Sequence, residues 1–255
     1  MKTAPSQPPR ESRKQREIRQ REQQILGLAR PMLREGGLAS LSMERIAEQL
    51  EYAKGTIYNH FPNKEEIVLA LAVQAVELRL QLFEYAATRP GTDRDRIGSV
   101  GVACEYFVVR FRELFLAEHA VRHDTVRMKT SERRQQLLSA CEARCMGIIS
   151  GIVRAAQAAG VCSLPDSILA EELSFGLWSQ VYGGMTIELT SPSLTAIGIR
   201  DANATILRHC NALLDGFGWK PAYEPAQFAK LRAACWAEFE QLTRLEGAQR
   251  LEERS

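Results

Sequence analysis

No stretch of this sequence stays apolar for the about 20 residues that a membrane-crossing helix needs. The most apolar segments, Ile67 to Val76 and Met146 to Val153, are half that length or less. The N-terminus lacks an apolar signal core as well, since Pro5, Pro8 and Pro9 lead directly into alternating charges. These absences argue against export or a membrane partner and lead to the expectation of a cytoplasmic protein. Net charge is also nearly absent: 33 Lys and Arg stand against 31 Asp and Glu, which excludes a protein that coats nucleic acid indiscriminately. Cysteine is thinly spread, at positions 104, 141, 145, 162, 210 and 235, without the density of a disulfide framework, so the thiols read as small buried hydrophobes. Paired carboxylates, a nucleophile beside a base, a Gly-rich phosphate loop and a metal cluster at catalytic spacing are all missing, and neither enzyme, cofactor nor metal is expected. What is present, 45% hydrophobic and 25% charged residues, is the composition of an ordinary folded chain.

The distribution of charge carries more than its total. Residues 1 to 21 hold seven cations (Lys2, Arg10, Arg13, Lys14, Arg16, Arg19, Arg21) against Glu11 and Glu17, an excess of five. Residues 1–12 read as a flexible basic arm, because three prolines and few apolar side chains cannot offset the entropy of ordering. From Arg13 the pattern is helical, with Ile25, Leu28, Ala29, Met32 and Leu33 on one face, a kink or a local break expected at Pro31 and a stop at Gly36-Gly37.

Ser42 is an N-cap for a short helix that places Met43, Ile46, Ala47 and Leu50 together. A third helix is expected from Ala53 to Phe61, with Ile57 and Phe61 inward and Lys54, Thr56, Tyr58, Asn59 and His60 around the rest; Pro62 ends it. Asn63 and Glu66 have the spacing of a reciprocal capping box for a fourth helix reaching about Thr88. Beyond Pro90-Gly91 every periodic stretch is helical, over roughly 93–118, 120–129, 131–159, 166–189, 201–217 and 225–245. The fold class is all-α: an N-terminal helix-turn-helix domain at 13–70, followed over 71–255 by a helical bundle for ligand binding and dimerisation.

Two short helices joined by a tight turn, the second presenting polar and basic groups, match a B-DNA major groove that admits one α-helix. Ile46-Ala47, Lys54-Gly55-Thr56-Ile57-Tyr58, His60-Phe61 and Lys64-Glu65 resemble the signature of the tetracycline-repressor (TetR) family of bacterial regulators over about residues 20 to 70. The resemblance implies a homodimer on double-stranded DNA and a divergent C-terminal domain that binds an inducing small molecule. By position, Lys54 and Thr56 would meet base edges or phosphates, Tyr58 and His60 would contact the DNA backbone or a thymine methyl, and Asn59 is a further DNA-binding candidate. Ser42 and Lys64 would hold flanking phosphates, and Gly55 would allow the backbone close to the DNA. Two positions depart from the family's pattern. Glu51 stands where Gly is usual in the turn, and Ala53 where Ser is usual at the N-cap; each costs roughly 1 kcal/mol, and Glu51 brings a negative charge toward DNA.

In the C-terminal region Phe107, Phe111, Phe115, Met146, Trp178, Tyr182 and Met185 recur at helical spacing. Phe111, Met146, Trp178 and Tyr182 are the candidate effector contacts, and a mostly apolar ligand is expected because cations are sparse on the inner faces. Helices 166–189 and 201–217 have the length and apolar content to pair across a two-fold axis, with Ser174, Gly176, Gly183 and Gly184 either allowing close approach or merely interrupting the helix. His119 with His123, and Cys141 with Cys145, stand four apart; without a third ligand, surface imidazoles and buried thiols outweigh a metal or redox-sensing role. Phe228, Leu231, Cys235, Phe239 and Leu242 form the stripe of a further docked helix. The expectation is a repressor released from a palindromic operator by a small hydrophobic effector. Its rival is an architectural DNA-binding protein with the same fold and no effector.

Overall fold

The computed structural model describes residues 12–191 and 193–252, with side chains as far as 245. The basic arm therefore lies outside the described residues, except for Ser12. Among the described residues there are eleven α-helices and no strand: α1 (Arg13–Ser40), α2 (Met43–Gln49), α3 (Lys54–His60), α4 (Lys64–Thr88), α5 (Asp93–Arg110), α6 (Arg112–Val121), α7 (Asp124–Arg127), α8 (Glu132–Ala158), α9 (Ala170–Thr190), α10 (Ala202–Gly216) and α11 (Pro225–Glu252). A single 3-10 turn, Thr195–Ile197, joins α9 to α10.

Ser12 begins α1 with a reciprocal capping box to Gln15. The helix breaks at Gly36 (φ −154°, ψ 24°) and Gly37 (φ 62°, ψ −154°), while Pro31 sits within it at helical dihedral angles. A local break at Pro31 therefore does not form. Pro31 and Gly27, the residue whose carbonyl Pro31 cannot bond, are both exposed, so the missing helix hydrogen bond falls at solvent-exposed positions. Ile25, Ala29 and Leu33 of α1 meet Ile46, Ala47, Ile57 and Phe61 in the core of the N-terminal unit.

α4 is buried on nearly every side and forms the axis of the molecule, with α1, α5, α6 and α8 packed around it. The expected helix at 93–118 is two helices, divided at Phe111 (φ −128°, ψ 46°), whose ring turns back onto Tyr106 and Phe107. The stretch 120–129 contributes only the single turn α7, and α9 begins at Ala170 rather than 166. By composition α8 contains a window long and apolar enough to cross a membrane, which the sequence pattern had not singled out. It is a bundle helix, packed against α4 and α9.

α11 lies along α5 as expected from its stripe, with Cys235 and Phe239 buried. Polar links fasten it: Arg232 Nε donates to Glu105 at 2.8 Å, and the Tyr106 hydroxyl lies 2.9 Å from that of Thr243. Gly98 of α5 admits the close approach, since a Cβ there would lie 3.1 Å from Leu231.

Candidate functional site

Ser42 caps α2, its hydroxyl accepting from the Arg45 N–H at 3.2 Å. α2 ends in a tight reversal: the Tyr52 N–H donates to the Ala47 carbonyl (3.0 Å) and the Glu51 N–H to that of Glu48 (3.2 Å). This is the Schellman pattern, which needs a left-handed residue after the C-cap. Glu51 occupies that position at φ 55°, the one non-glycine residue with positive φ among the described residues. The turn thus keeps its ordinary shape, and the strain is confined to Glu51. Ala53 starts α3 with no side-chain cap, as its methyl group requires.

On α3, Lys54, Gly55, Tyr58 and Asn59 are exposed, Thr56 is half-buried, and Ile57 anchors the helix in the core. A Cβ on Gly55 would meet nothing within 4 Å. Ser42, Tyr58 and Lys64 border one shallow recess, and the Lys64 ammonium also donates to the Leu38 carbonyl at 3.2 Å. His60 is placed differently from the outward position expected of it. Its side chain is only 9% exposed and points toward α1, with Nδ1 4.0 Å from Glu22.

The Asn63 side chain accepts from the Glu66 N–H at 2.8 Å, but the reciprocal half of the expected capping box is not made. Glu66 instead turns to the start of α8, accepting from the Ser131 backbone N–H and from Arg134 at 2.6 Å. Arg134 in turn lies over the Phe61 ring at 5.0 Å. Lys129 meets Glu65 at 3.1 Å, and Arg34 of α1 meets Glu113 of α6 at 2.7 Å. The helix-turn-helix is thereby tied to α6 and α8 as well as to α4.

Inside the bundle lies a cavity of about 270 Å³ with a mostly apolar wall, to which α4, α5, α6, α8, α9, α10 and α11 all contribute. Met146, Trp178 and Tyr182, three of the four candidate effector contacts, line it together with Phe107 and Phe115. Phe111 does not: at the break between α5 and α6 its ring is spent on Tyr106 and Phe107. The expectation that the inner faces hold few cations also needs correction, because Arg79 and Arg122 belong to the wall. Arg79 meets Glu118 at 2.7 Å. Burial works against its charge, but the Glu118 carboxylate beside it opposes burial, and the pKa of Arg79 is raised. Arg122 pairs with Glu142 at 2.7 Å and lies over Tyr182 (4.8 Å) and Trp178 (5.6 Å).

Cys104, Cys145 and Cys210 also face this cavity. Burial pushes their pKa values up to about 12, about 11 and about 12, which leaves them protonated at neutral pH. Among the described residues all six cysteines are free, and no three His, Cys, Asp or Glu side chains gather as metal ligands. His119 reaches the Tyr182 hydroxyl at 3.3 Å and meets the His123 ring edge-on at 5.6 Å. Burial, then His123 and Arg122, lowers its pKa.

α9 and α10 pack side by side and leave Phe175 and Ile187 exposed on α9. Of the four small residues in α9, Ser174 and Gly184 serve the chain's own packing. Ser174 is fully buried, and a Cβ on Gly184 would lie 2.6 Å from Ile206. Gly183 faces open space.

Residues 25–71 match the family described as bacterial regulatory proteins, tetR family. Solved structures share the fold. A tetR-family regulatory protein from Rhodococcus RHA1 superposes with a TM-score of 0.60 at 18% identity, covering 78% of this chain and 97% of that one. A TetR/AcrR-family regulator from Thermobifida fusca gives 0.58 at 21% identity, covering 78% and 98%. FadR from Bacillus subtilis, in complex with stearoyl-CoA, gives 0.57 at 17% identity, covering 76% and 98%. No curated protein sequence matches the chain.

Proposed function

Because this chain belongs to the TetR family of bacterial regulatory proteins and is a DNA-binding transcriptional regulator, we propose that it is a repressor. It binds a two-fold symmetric operator as a homodimer through residues 13–70 and leaves it when a small hydrophobic effector enters the bundle formed by 71–255. Lys54, Gly55, Thr56, Tyr58 and Asn59 of α3 face the major groove, with Ser42 and Lys64 on flanking phosphates. His60 contributes from its place beside Glu22. Met146, Trp178 and Tyr182 contact the effector, and the exposed face of α9 with α10 forms the dimer interface.

The observation that carries this reading is the course of α4. It starts at Lys64 beside α3 and reaches the cavity wall at Arg79 and Phe83, about 22 Å away at about 1.5 Å per residue. A ligand that favours one placement of α4 therefore favours one placement of the two recognition helices, and its differential affinity for the two placements is the energy available for release. The neighbour with bound stearoyl-CoA supports a bundle of this fold as a ligand site.

The test is selection of bound sequences from a random DNA library with purified protein, repeated across a salt series. A symmetric consensus with fixed half-site spacing is expected. Enrichment of no consensus, with affinity falling smoothly as salt rises, would refute the repressor reading in favour of an architectural role.

A further inference from the structure

Arg94 stands in the first turn of α5 and is only 7% exposed. Its polar contacts are concentrated on one nitrogen: Nη2 lies 2.9 Å from Asp215 Oδ1, 3.0 Å from Asn211 Oδ1 and 3.2 Å from the Asn211 carbonyl. Nη1 is buried with no hydrogen-bond partner. A buried guanidinium N–H without an acceptor is unfavourable, and such atoms call for an explanation. Arg94 borders a small crevice beneath the start of α11, beside Tyr223 and Gln227. Asn211 and Phe228 belong both to this crevice and to the main cavity, so the two adjoin. Along α5 the main cavity extends from Ile97 to Val108, about 16 Å at about 1.5 Å per residue.

We propose that the Arg94 crevice is the head-group subsite of the effector site. It receives the uncharged oxygen acceptor, a carbonyl or ether oxygen, of an elongated apolar molecule whose body fills the main cavity. The inference rests on the bundle being an effector site, and it adds the chemical class of the ligand.

Charge decides the class. Asp95 and Glu224 border the crevice, and Asp215 already occupies Arg94. A carboxylate head would be a fourth anion around one guanidinium. An ammonium head could be drawn by Asp95 and Glu224 but, being a donor only, would leave Nη1 unsatisfied. An uncharged acceptor satisfies Nη1 without disturbing the Arg94–Asp215 pair. Nor does the main cavity offer a charge to the ligand's body, since Arg79 is paired with Glu118 and Arg122 with Glu142. Breaking either pair would leave a buried or half-buried ion unmatched.

The experiment titrates the full-length protein with four probes of equal chain length, namely undecane, methyl nonyl ketone, undecanoic acid and undecylamine, by calorimetry and tryptophan fluorescence. The ketone is expected to bind at least about tenfold more tightly than the other three, as one hydrogen bond to a charged donor allows. Arg94→Lys keeps a cation for Asp215 but removes Nη1, and should bring the ketone-to-alkane ratio close to one without changing alkane affinity. Gln227→Trp, at an exposed residue that borders the crevice and not the main cavity, narrows the crevice with Arg94 in place, should do the same, and decides the matter if the first variant folds poorly. Acid or amine binding as tightly as the ketone, no probe binding at all, or a ratio indifferent to both substitutions overturns the proposal. Operator release is read separately by fluorescence anisotropy. Ketone binding without release would remove the effector reading and leave the subsite standing, whereas release by alkane and ketone alike would do the reverse.

Discussion

Replacing Gly55 with Ala should move folding and DNA binding in opposite directions. Gly55 is the second residue of α3, its φ lies outside the left-handed region, and a Cβ there would meet nothing within 4 Å. Nothing in the folded chain therefore requires glycine, and helix propensity alone favours Ala by roughly 0.5–1 kcal/mol. For a chain of this size that corresponds to a rise in melting temperature of about 1–4 °C. If the start of α3 approaches DNA as proposed, the added methyl group stands between the helix backbone and the sugar-phosphate chain. Loss of one well-made contact of about 1.4 kcal/mol weakens binding about tenfold, and a dimer incurs it at each half-site. Differential scanning fluorimetry gives the first quantity and anisotropy with a labelled operator the second. A stabilised variant with unchanged operator affinity would refute the docking of α3. A destabilised one would refute the claim that Gly55 has open space.

Glu51→Gly should remove the cost of a left-handed non-glycine residue, roughly 1 kcal/mol, and tighten operator binding at low salt by deleting a negative charge, a gain that fades as salt rises. Denaturant melts and a salt series measure the two, and a loss of stability would contradict the assigned turn. Lys54→Ala should lower the slope of log affinity against log salt by about one unit per protomer, whereas Tyr58→Ala should weaken binding at every salt concentration; unchanged affinity in both would place the interface elsewhere. The raised thiols of Cys104, Cys145 and Cys210 hold protons in the folded chain that the unfolded chain releases above about pH 8.5, so their contribution to stability is complete below that pH. It is lost by about 1.4 kcal/mol per pH unit per thiol on the way up to the folded pKa values, which urea melts between pH 8 and pH 10 will detect. Gly184→Ala, forced against Ile206, should destabilise by about 1–3 kcal/mol, while Gly183→Ala should leave monomer packing unaffected.

The N-terminal unit was legible because its signals are local. Ser42 and Asn63 act as caps within three residues of the N–H groups that donate to them, Glu51 is pressed into a left-handed turn by its own neighbours, and Ile57 and Phe61 lie one helical turn apart. The break at Phe111 was not legible, because Phe107, Phe111 and Phe115 continue the helical period across it. Two amphipathic helices in succession leave no gap in that pattern when the residue between them is itself apolar. For Glu66 the capping-box spacing pointed to Asn63, yet Ser131 and Arg134, more than sixty positions away in the chain, supply the partners. Such a competition between a local and a distant donor is settled only when the chain has folded.

The cavity divides along the same line. Its apolar wall follows from periodicity, since a residue repeated at helical spacing must face inward somewhere. Its charges do not, because Arg79 and Glu118 each sit among apolar neighbours on different helices, and either alone would read as a solvated position. Their burial is tolerable only as a pair, and the same holds for Arg94 with Asp215 and Asn211. Partnered charges on a cavity wall shape its outline and polarity without conferring net charge, so sequence composition misleads in both directions: sparse cations suggest a greasy pocket, and visible arginines suggest an anionic ligand. Only the pairing pattern distinguishes these from a third possibility. In that case the wall is electrically satisfied except at single hydrogen-bonding atoms such as Arg94 Nη1, and specificity comes from where a ligand's one polar atom falls along its apolar length.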